Sequence, residues 1–311
     1  MAGSKQRSVL AGGVYAALAT PRRADSIEAD AAALLEYLDA VSAGGVDGFV
    51  LFGATGEFVH FTPDERMRVA SLALKRSRAP VLINVSHSTL PGAFDIAESA
   101  IGAGASGLLL APPHFYRYPE NQIFEFYRRF AESVNGEAPV YLYNLPAFLN
   151  PLSPGLAVRL LETGWFAGIK DSSGDWSTFE VLLALKEKSP FRLLIGNEAI
   201  YQRARPAGAD GSISGVAGAV PELVVALDRA IVASDQDRAE KLNRRLLEFL
   251  DRAHTLPAPV AIRQACVARG WPLKHLAVPF DEDQAADVIA FQAWFRHWLA
   301  EVQAECGQRA A

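Results

Sequence analysis

Short apolar runs alternate with longer amphipathic segments along most of this chain. The runs span residues 14–20, 48–55, 80–85, 107–112, 140–145, 166–170, 192–196 and 211–216. Each is nearly continuous in Val, Leu, Ile and Phe instead of alternating apolar with polar. That pattern belongs to strands covered on both faces, as in a parallel sheet. Between the runs, segments 26–41, 63–78, 92–101, 120–134, 154–161, 177–188 and 221–233 carry helical spacing, and 198–205 makes a shorter helix. Thr62-Pro63-Asp64-Glu65 and Ser153-Pro154 read as helix starts, with a capping hydroxyl and proline in the first turn.

The turn from helix to strand repeats as Gly45-Val46-Asp47-Gly48, Gly104-Ala105-Ser106-Gly107 and Gly208-Ala209-Asp210-Gly211. Eight such units predict an α/β fold, a (β/α)8 TIM barrel over residues 9–232, in preference to a doubly wound sheet. After about residue 235 the strand pattern stops. Segments 237–253, 260–269 and 281–304 predict helices, giving a small C-terminal helical domain over residues 233–311. Phe291, Phe295 and Trp298 fall on one side of the last helix and read as core or subunit interface. Gly102, Gly104 and Gly107 satisfy G-x-G-x-x-G, but after a helix and before a strand, the reverse of a dinucleotide site.

Composition narrows the function classes. With 311 residues, 50% apolar and 21% charged, the chain is an ordinary globular one. A net charge of -5 argues against nucleic acid or an anionic membrane as partner. No stretch approaches the ~18 uninterrupted apolar residues of a membrane span. Cys266 and Cys306 give neither a disulfide framework nor metal spacing, and the six histidines are scattered, so no metal site is expected and the location is expected to be cytoplasmic. Lys5 to Arg7 followed by a mild apolar run resembles a short signal peptide; a first strand at 14–20 is the preferred reading, because a barrel needs it.

In such a barrel, chemistry gathers at the C-terminal ends of strands. The sixth run ends in Ile169-Lys170-Asp171. A lysine amine held in a low-dielectric region loses its preference for the charged form, and the neutral amine makes Schiff bases with carbonyl substrates. The plainer reading is a lysine that snorkels to the rim or pairs with Asp171. Gly53-Ala54-Thr55-Gly56 offers backbone N–H groups and one hydroxyl, enough to cradle a carboxylate, or else forms a simple βα turn. Tyr143, one strand from Lys170, is placed to shuttle protons, or to hold a buried hydrogen bond.

Gly-x-Thr-Gly-Glu (Gly53 to Glu57), Tyr-Asn-x-Pro (Tyr143 to Pro146) and Gly-Ile-Lys-Asp-Ser-x-Gly-Asp (Gly168 to Asp175) resemble the pyruvate-dependent class I lyases. That family includes dihydrodipicolinate synthase, N-acetylneuraminate lyase and 2-keto-3-deoxy sugar-acid aldolases. The resemblance implies Lys170 as the Schiff-base lysine and Tyr143 as the proton-transfer residue. It places the pyruvate carboxylate on Ala54, Thr55 and Gly56, with the carbonyl of Ile213 beside the keto acid. No cofactor is needed beyond the imine on Lys170, and the partners implied are a 2-keto acid such as pyruvate and further copies of the chain, as a dimer or tetramer. Glu198 is either a contact for substrate hydroxyls or a carboxylate at a helix start.

Three positions depart from the family pattern. Ala54 replaces the usual Ser or Thr, Phe115 falls where the synthase has its relay tyrosine, and Phe148 falls where it has an arginine for its acidic aldehyde. These changes favour a lyase that splits a 2-keto-3-deoxy sugar acid, or a related keto acid, into pyruvate and an aldehyde. Dihydrodipicolinate synthase is the first alternative, a keto-deoxy sugar-acid dehydratase the second. A barrel that binds a keto acid without turnover stands as the alternative outside enzymes.

Overall fold

The computed structural model describes residues 10–307. Residues 5–7, the expected barrel start at residue 9 and the end of the tail after 307 lie outside the described residues. Eight parallel strands close into a barrel in chain order, with β8 returning to β1. They are β1 Gly13–Ala17, β2 Gly48–Leu51, β3 Val81–Asn84, β4 Gly107–Leu110, β5 Val140–Asn144, β6 Gly168–Asp171, β7 Arg192–Ile195 and β8 Gly211–Ser214. The outer ring holds α1 Ala31–Ser42, α2 Pro63–Arg76, α3 Leu90–Gly102, α4 Glu120–Val134, α5 Pro154–Glu162, α6 Trp176–Lys186, α7 Tyr201–Ala207, α8 Val216–Ala219 and α9 Pro221–Val232. The tail adds α10 Gln236–Ala253, α11 Val260–Ala268 and α12 Glu282–Cys306. The expected TIM barrel with a helical C-terminal part is what the chain forms. Among the described residues no helix is long and apolar enough to cross a membrane.

Strand alternation sorts the side chains into two apolar cores. Tyr15, Val50, Leu82, Leu109, Tyr141, Leu194 and Ile213 fill the barrel interior. Val14, Phe49, Ile83, Leu108, Leu142, Ile169 and Leu193 face the helices. The outer core continues without a break into the tail, where Phe249, Phe291, Phe295 and Trp298 are buried together. The aromatic side of α12 is therefore packed as core.

Several boundaries differ from those read in the sequence. β1 ends at Ala17, short of residue 20, and β2 at Leu51, short of residue 55, where Phe52 takes a left-handed backbone (φ 58°) that ends the second strand. α1 starts at Ala31, not near Ser26, since Asp30 caps it by accepting from the Ala33 N–H at 3.0 Å. Val216, taken as the end of the eighth strand, opens the short helix α8. The G-x-G-x-x-G stretch joins α3 to β4, with Gly104 at φ 86°, and is a turn.

Candidate active site

All eight strands run the same way, so their C-terminal ends share one face, and that face opens on a cavity of about 900 Å³. Lys170 lines it and is 5% exposed. Register brings its neighbour: β5 and β6 pair Tyr143 with Lys170 and Asn144 with Asp171. Alternation then sends Lys170 and Tyr143 inward together. Lys170 Nζ lies 4.2 Å from the centroid of the Tyr143 ring, and both residues are buried in the cavity wall.

Pairing with Asp171 is not realised. The Asp171 carboxylate accepts from Asn144 Nδ2 at 2.7 Å and from Ser173 Oγ at 2.6 Å. Burial pushes this carboxyl above its ordinary range, against the pull of those hydrogen bonds. Asp175 closes the same loop by capping α6, accepting from the Ser177 and Thr178 N–H groups at 3.1 and 3.2 Å. Hydrogen bonds from Thr178 and Ser177 hold its carboxyl down at about 2. The run Asp171 to Asp175 is thus a brace that fixes where β6 stops.

The loop after β2 is held from several sides. Phe52 O accepts from Asn84 Nδ2 at 2.6 Å, Gly56 O from Thr20 Oγ1 at 2.8 Å, and Ala54 O from the Glu57 N–H at 3.0 Å. Phe52 and Glu57, both left-handed (φ 58° and 53°), bracket it. Strain of that kind persists only where the surroundings over-determine it. Glu57 is buried among Arg263, with which it forms an ion pair, Arg22 at 3.8 Å and His60 at 3.3 Å. Arg66, also buried, donates to the carbonyls of Ser86 and Asn84 at the end of β3. Burial lowers its guanidinium to about 10.

Of the residues picked out in the sequence, Lys170, Tyr143, Ala54, Thr55, Ile213 and Glu198 all line the one cavity. Gly56 does not. It stands behind the loop, where a side chain would press on the backbone of Phe52 and Leu18. Glu198 begins the turn Glu198–Ile200, lines the cavity, and accepts from Ser214 Oγ at 2.6 Å and the Val216 N–H at 3.2 Å. Phe115 is left-handed (φ 80°) and 87% exposed, stacked edge to face on Tyr116.

Several wall residues escaped the sequence reading. Ser172 lies two positions after Lys170 on the same face, a signal that period-two alternation could have given. Its Oγ is buried without a partner, as is His114 Nδ1. Burial also holds the His114 imidazole below its ordinary range. Phe249, Leu250, Leu256, Pro259 and Ile262 come from the tail, and no local spacing could announce a contact so distant along the chain.

Gly196 offers a test. A methyl group there would overlap Ser172 Oγ and lie 2.8 Å from Lys170 Cε. Gly196→Ala is expected to reduce covalent capture of a keto acid by about 100-fold, the scale of a small misplacement of a reacting group. Circular dichroism should show the fold intact, and unimpaired capture would mean that Gly196 does not shape the amine's surroundings.

Fold and site together define an aldolase-like barrel with a buried lysine at a strand end. Residues 10–291 match the model of the dihydrodipicolinate synthetase family, and the chain belongs to that family. It is 31% identical over 271 residues to 4-hydroxy-tetrahydrodipicolinate synthase of Salinibacter ruber, covering 86% of this chain and 88% of the relative. The enzyme of the same name from Methanothrix thermoacetophila is 29% identical over 281 residues, covering 88% and 93%. Among solved structures, YagE, a prophage protein of the same family from E. coli K12 in complex with pyruvate, superposes with a TM-score of 0.84 at 26% identity, covering 92% of this chain and 98% of that one. The resemblance carried by the three strand-end motifs is borne out, and with it the class I, pyruvate-dependent lyase family.

Proposed function

We propose that this chain forms and breaks a carbon–carbon bond next to pyruvate through a Schiff base on Lys170. One observation carries the reading: a buried lysine amine against the ring of a buried tyrosine, in the wall of a cavity at the strands' C-terminal ends. The amine adds to the keto carbon and water leaves, giving a protonated imine. That imine withdraws electrons, so the methyl carbon gives up a proton and an enamine forms. The enamine carbon attacks an aldehyde, whose oxygen takes up a proton, and water releases the product from Lys170. Cleavage is the same path reversed. Tyr143 moves the protons, Thr55 and the N–H groups of Ala54 and Thr55 hold the pyruvate carboxylate, and Ile213 and Glu198 complete the wall.

The names of the two relatives support condensation, the synthase reading, over cleavage of a 2-keto-3-deoxy sugar acid. A second reading, an aldolase with a different aldehyde, is favoured by Phe148, which lines the cavity with an uncharged ring where the synthase has its arginine. In either reading the tail, expected as a unit from residue 233, closes the cavity. A cytoplasmic dimer or tetramer belongs to the same proposal; the exposed Phe115–Tyr116 pair supplies apolar surface for an assembly to cover.

Enamine formation can be tested without knowing the aldehyde. In D₂O the protein is expected to exchange the methyl protons of pyruvate, seen by NMR as loss of the methyl signal. Exchange no faster than in buffer sinks the reading. Tyr143→Phe is expected to slow that exchange by about 10²–10⁴-fold, the usual worth of a positioned proton-transfer group. An unchanged rate in this variant assigns the proton to another residue.

A further inference from the structure

Resting on the Schiff-base reading, the shape and charge of the cavity reach further, to the second substrate. A cavity of about 900 Å³ is at the upper end of small-molecule sites and holds far more than a three-carbon acid. The space beyond Lys170 is walled by Phe58, Phe148 and Leu149 from the barrel loops and by Phe249, Leu256 and Ile262 from the tail. Lys170 is the one lysine or arginine among the lining residues, and the imine consumes it. The two lining carboxylates are already engaged, Glu57 with Arg263 and Arg22, Glu198 with Ser214 and Val216. His60 contacts Arg22 at 3.0 Å and Glu57 at 3.3 Å. An acidic aldehyde would therefore bring a carboxylate to a wall with no guanidinium or ammonium to receive it; the lining's other basic side chains are the imidazoles of His114 and, exposed, His254.

A polyhydroxylated aldehyde fits no better. Each buried hydroxyl needs a partner, and the buried polar atoms lining the cavity without one are Ser172 Oγ and His114 Nδ1. Ser88 is already donating to the His114 carbonyl at 3.2 Å. Those two groups suit one carbonyl or hydroxyl oxygen; Thr55 and Tyr143 are taken up by the pyruvate half in this reading, and exposed His254 is the one further polar side chain of the lining. Ser172 is the nearer to the chemistry, since it and Lys170 Cε converge on the same point beside Gly196.

We propose that the aldehyde partner has an apolar body, aromatic or branched alkyl, seated against Phe58, Phe148 and Leu149, with its single polar end toward Ser172. The pyruvate enamine carbon bonds to the aldehyde carbon, the carbonyl π electrons pass to oxygen, and that oxygen is protonated. Hydrolysis of the imine then frees a 4-hydroxy-2-oxo acid bearing the apolar group and restores the amine.

The test gives the full-length protein pyruvate with benzaldehyde, aspartate β-semialdehyde or glyceraldehyde, and follows the 4-hydroxy-2-oxo acid by chromatography and mass spectrometry. The expected kcat/KM for benzaldehyde exceeds that for each of the others by at least about tenfold, the scale set by stranding a charge or hydroxyl group without a partner. Phe148→Arg is expected to lower the value for benzaldehyde and raise that for the semialdehyde by a similar factor, while Phe148→Leu keeps the order of the wild type. Phe148 is 63% exposed, so neither change disturbs the core. Preference of the wild type for the acidic or hydroxylated aldehyde overturns the proposal, and so does turnover of none of the three. Pyruvate methyl exchange, measured alongside without aldehyde, separates the failures: exchange present with the wrong preference removes this inference alone, whereas its absence removes the Schiff-base reading as well.

Discussion

Lys170→Ala is expected to abolish turnover, with kcat lowered by roughly 10⁴-fold or more, as when a covalent nucleophile is removed. The change deletes a side chain from the cavity wall without stripping a partner from Asp171, whose carboxylate is held by Asn144 and Ser173. The fold should therefore survive, and thermal unfolding should differ little from the wild type. Lys170→Arg makes the sharper comparison. It keeps a cation in the wall but cannot form the imine, so the account expects it to be as inactive as the alanine variant. Activity within about tenfold of wild type in the arginine variant would mean that the side chain acts by charge alone.

The second large effect concerns stability. Arg263 is 2% exposed on α11, donates to Thr20 O at 2.8 Å and pairs with buried Glu57. Arg263→Met leaves that carboxylate with Arg22 at 3.8 Å and the half-exposed His60. Removing one partner of a buried pair costs about 3–5 kcal/mol, which for a chain of this size lowers Tm by roughly 5–8 °C. Because Glu57 follows Thr55 and Gly56 directly, KM for pyruvate should also rise. Thermal unfolding with steady-state kinetics checks both, and an unchanged Tm would show that the tail does not brace the loop after β2.

The sequence announced the strands because each is apolar on both faces, and it announced the site's centre because lysine is rare in such a run. Tyr143 and Lys170 could be put together from adjacent strand ends, and the register of β5 on β6 does pair them. What escaped had physical reasons. The end of β2 depends on a left-handed Phe52, a conformation that a phenylalanine does not advertise. Lys186 is largely buried against Asp210 at 2.9 Å, a contact made across two elements that no local spacing shows. Gly56 looked like part of a carboxylate cradle, but its place is set by the packing of Phe52 and Leu18 behind it. Ile262 and Leu256 reach the cavity only because the tail folds back over the strand ends.

The most direct measurement is borohydride reduction in the presence of pyruvate, followed by peptide mass spectrometry. We expect a single reduced adduct, on the peptide carrying Lys170, which vanishes when pyruvate is omitted. A reduced adduct on Lys186 or another lysine, or none on a protein that binds pyruvate, would contradict the claim that this strand-end amine is the nucleophile.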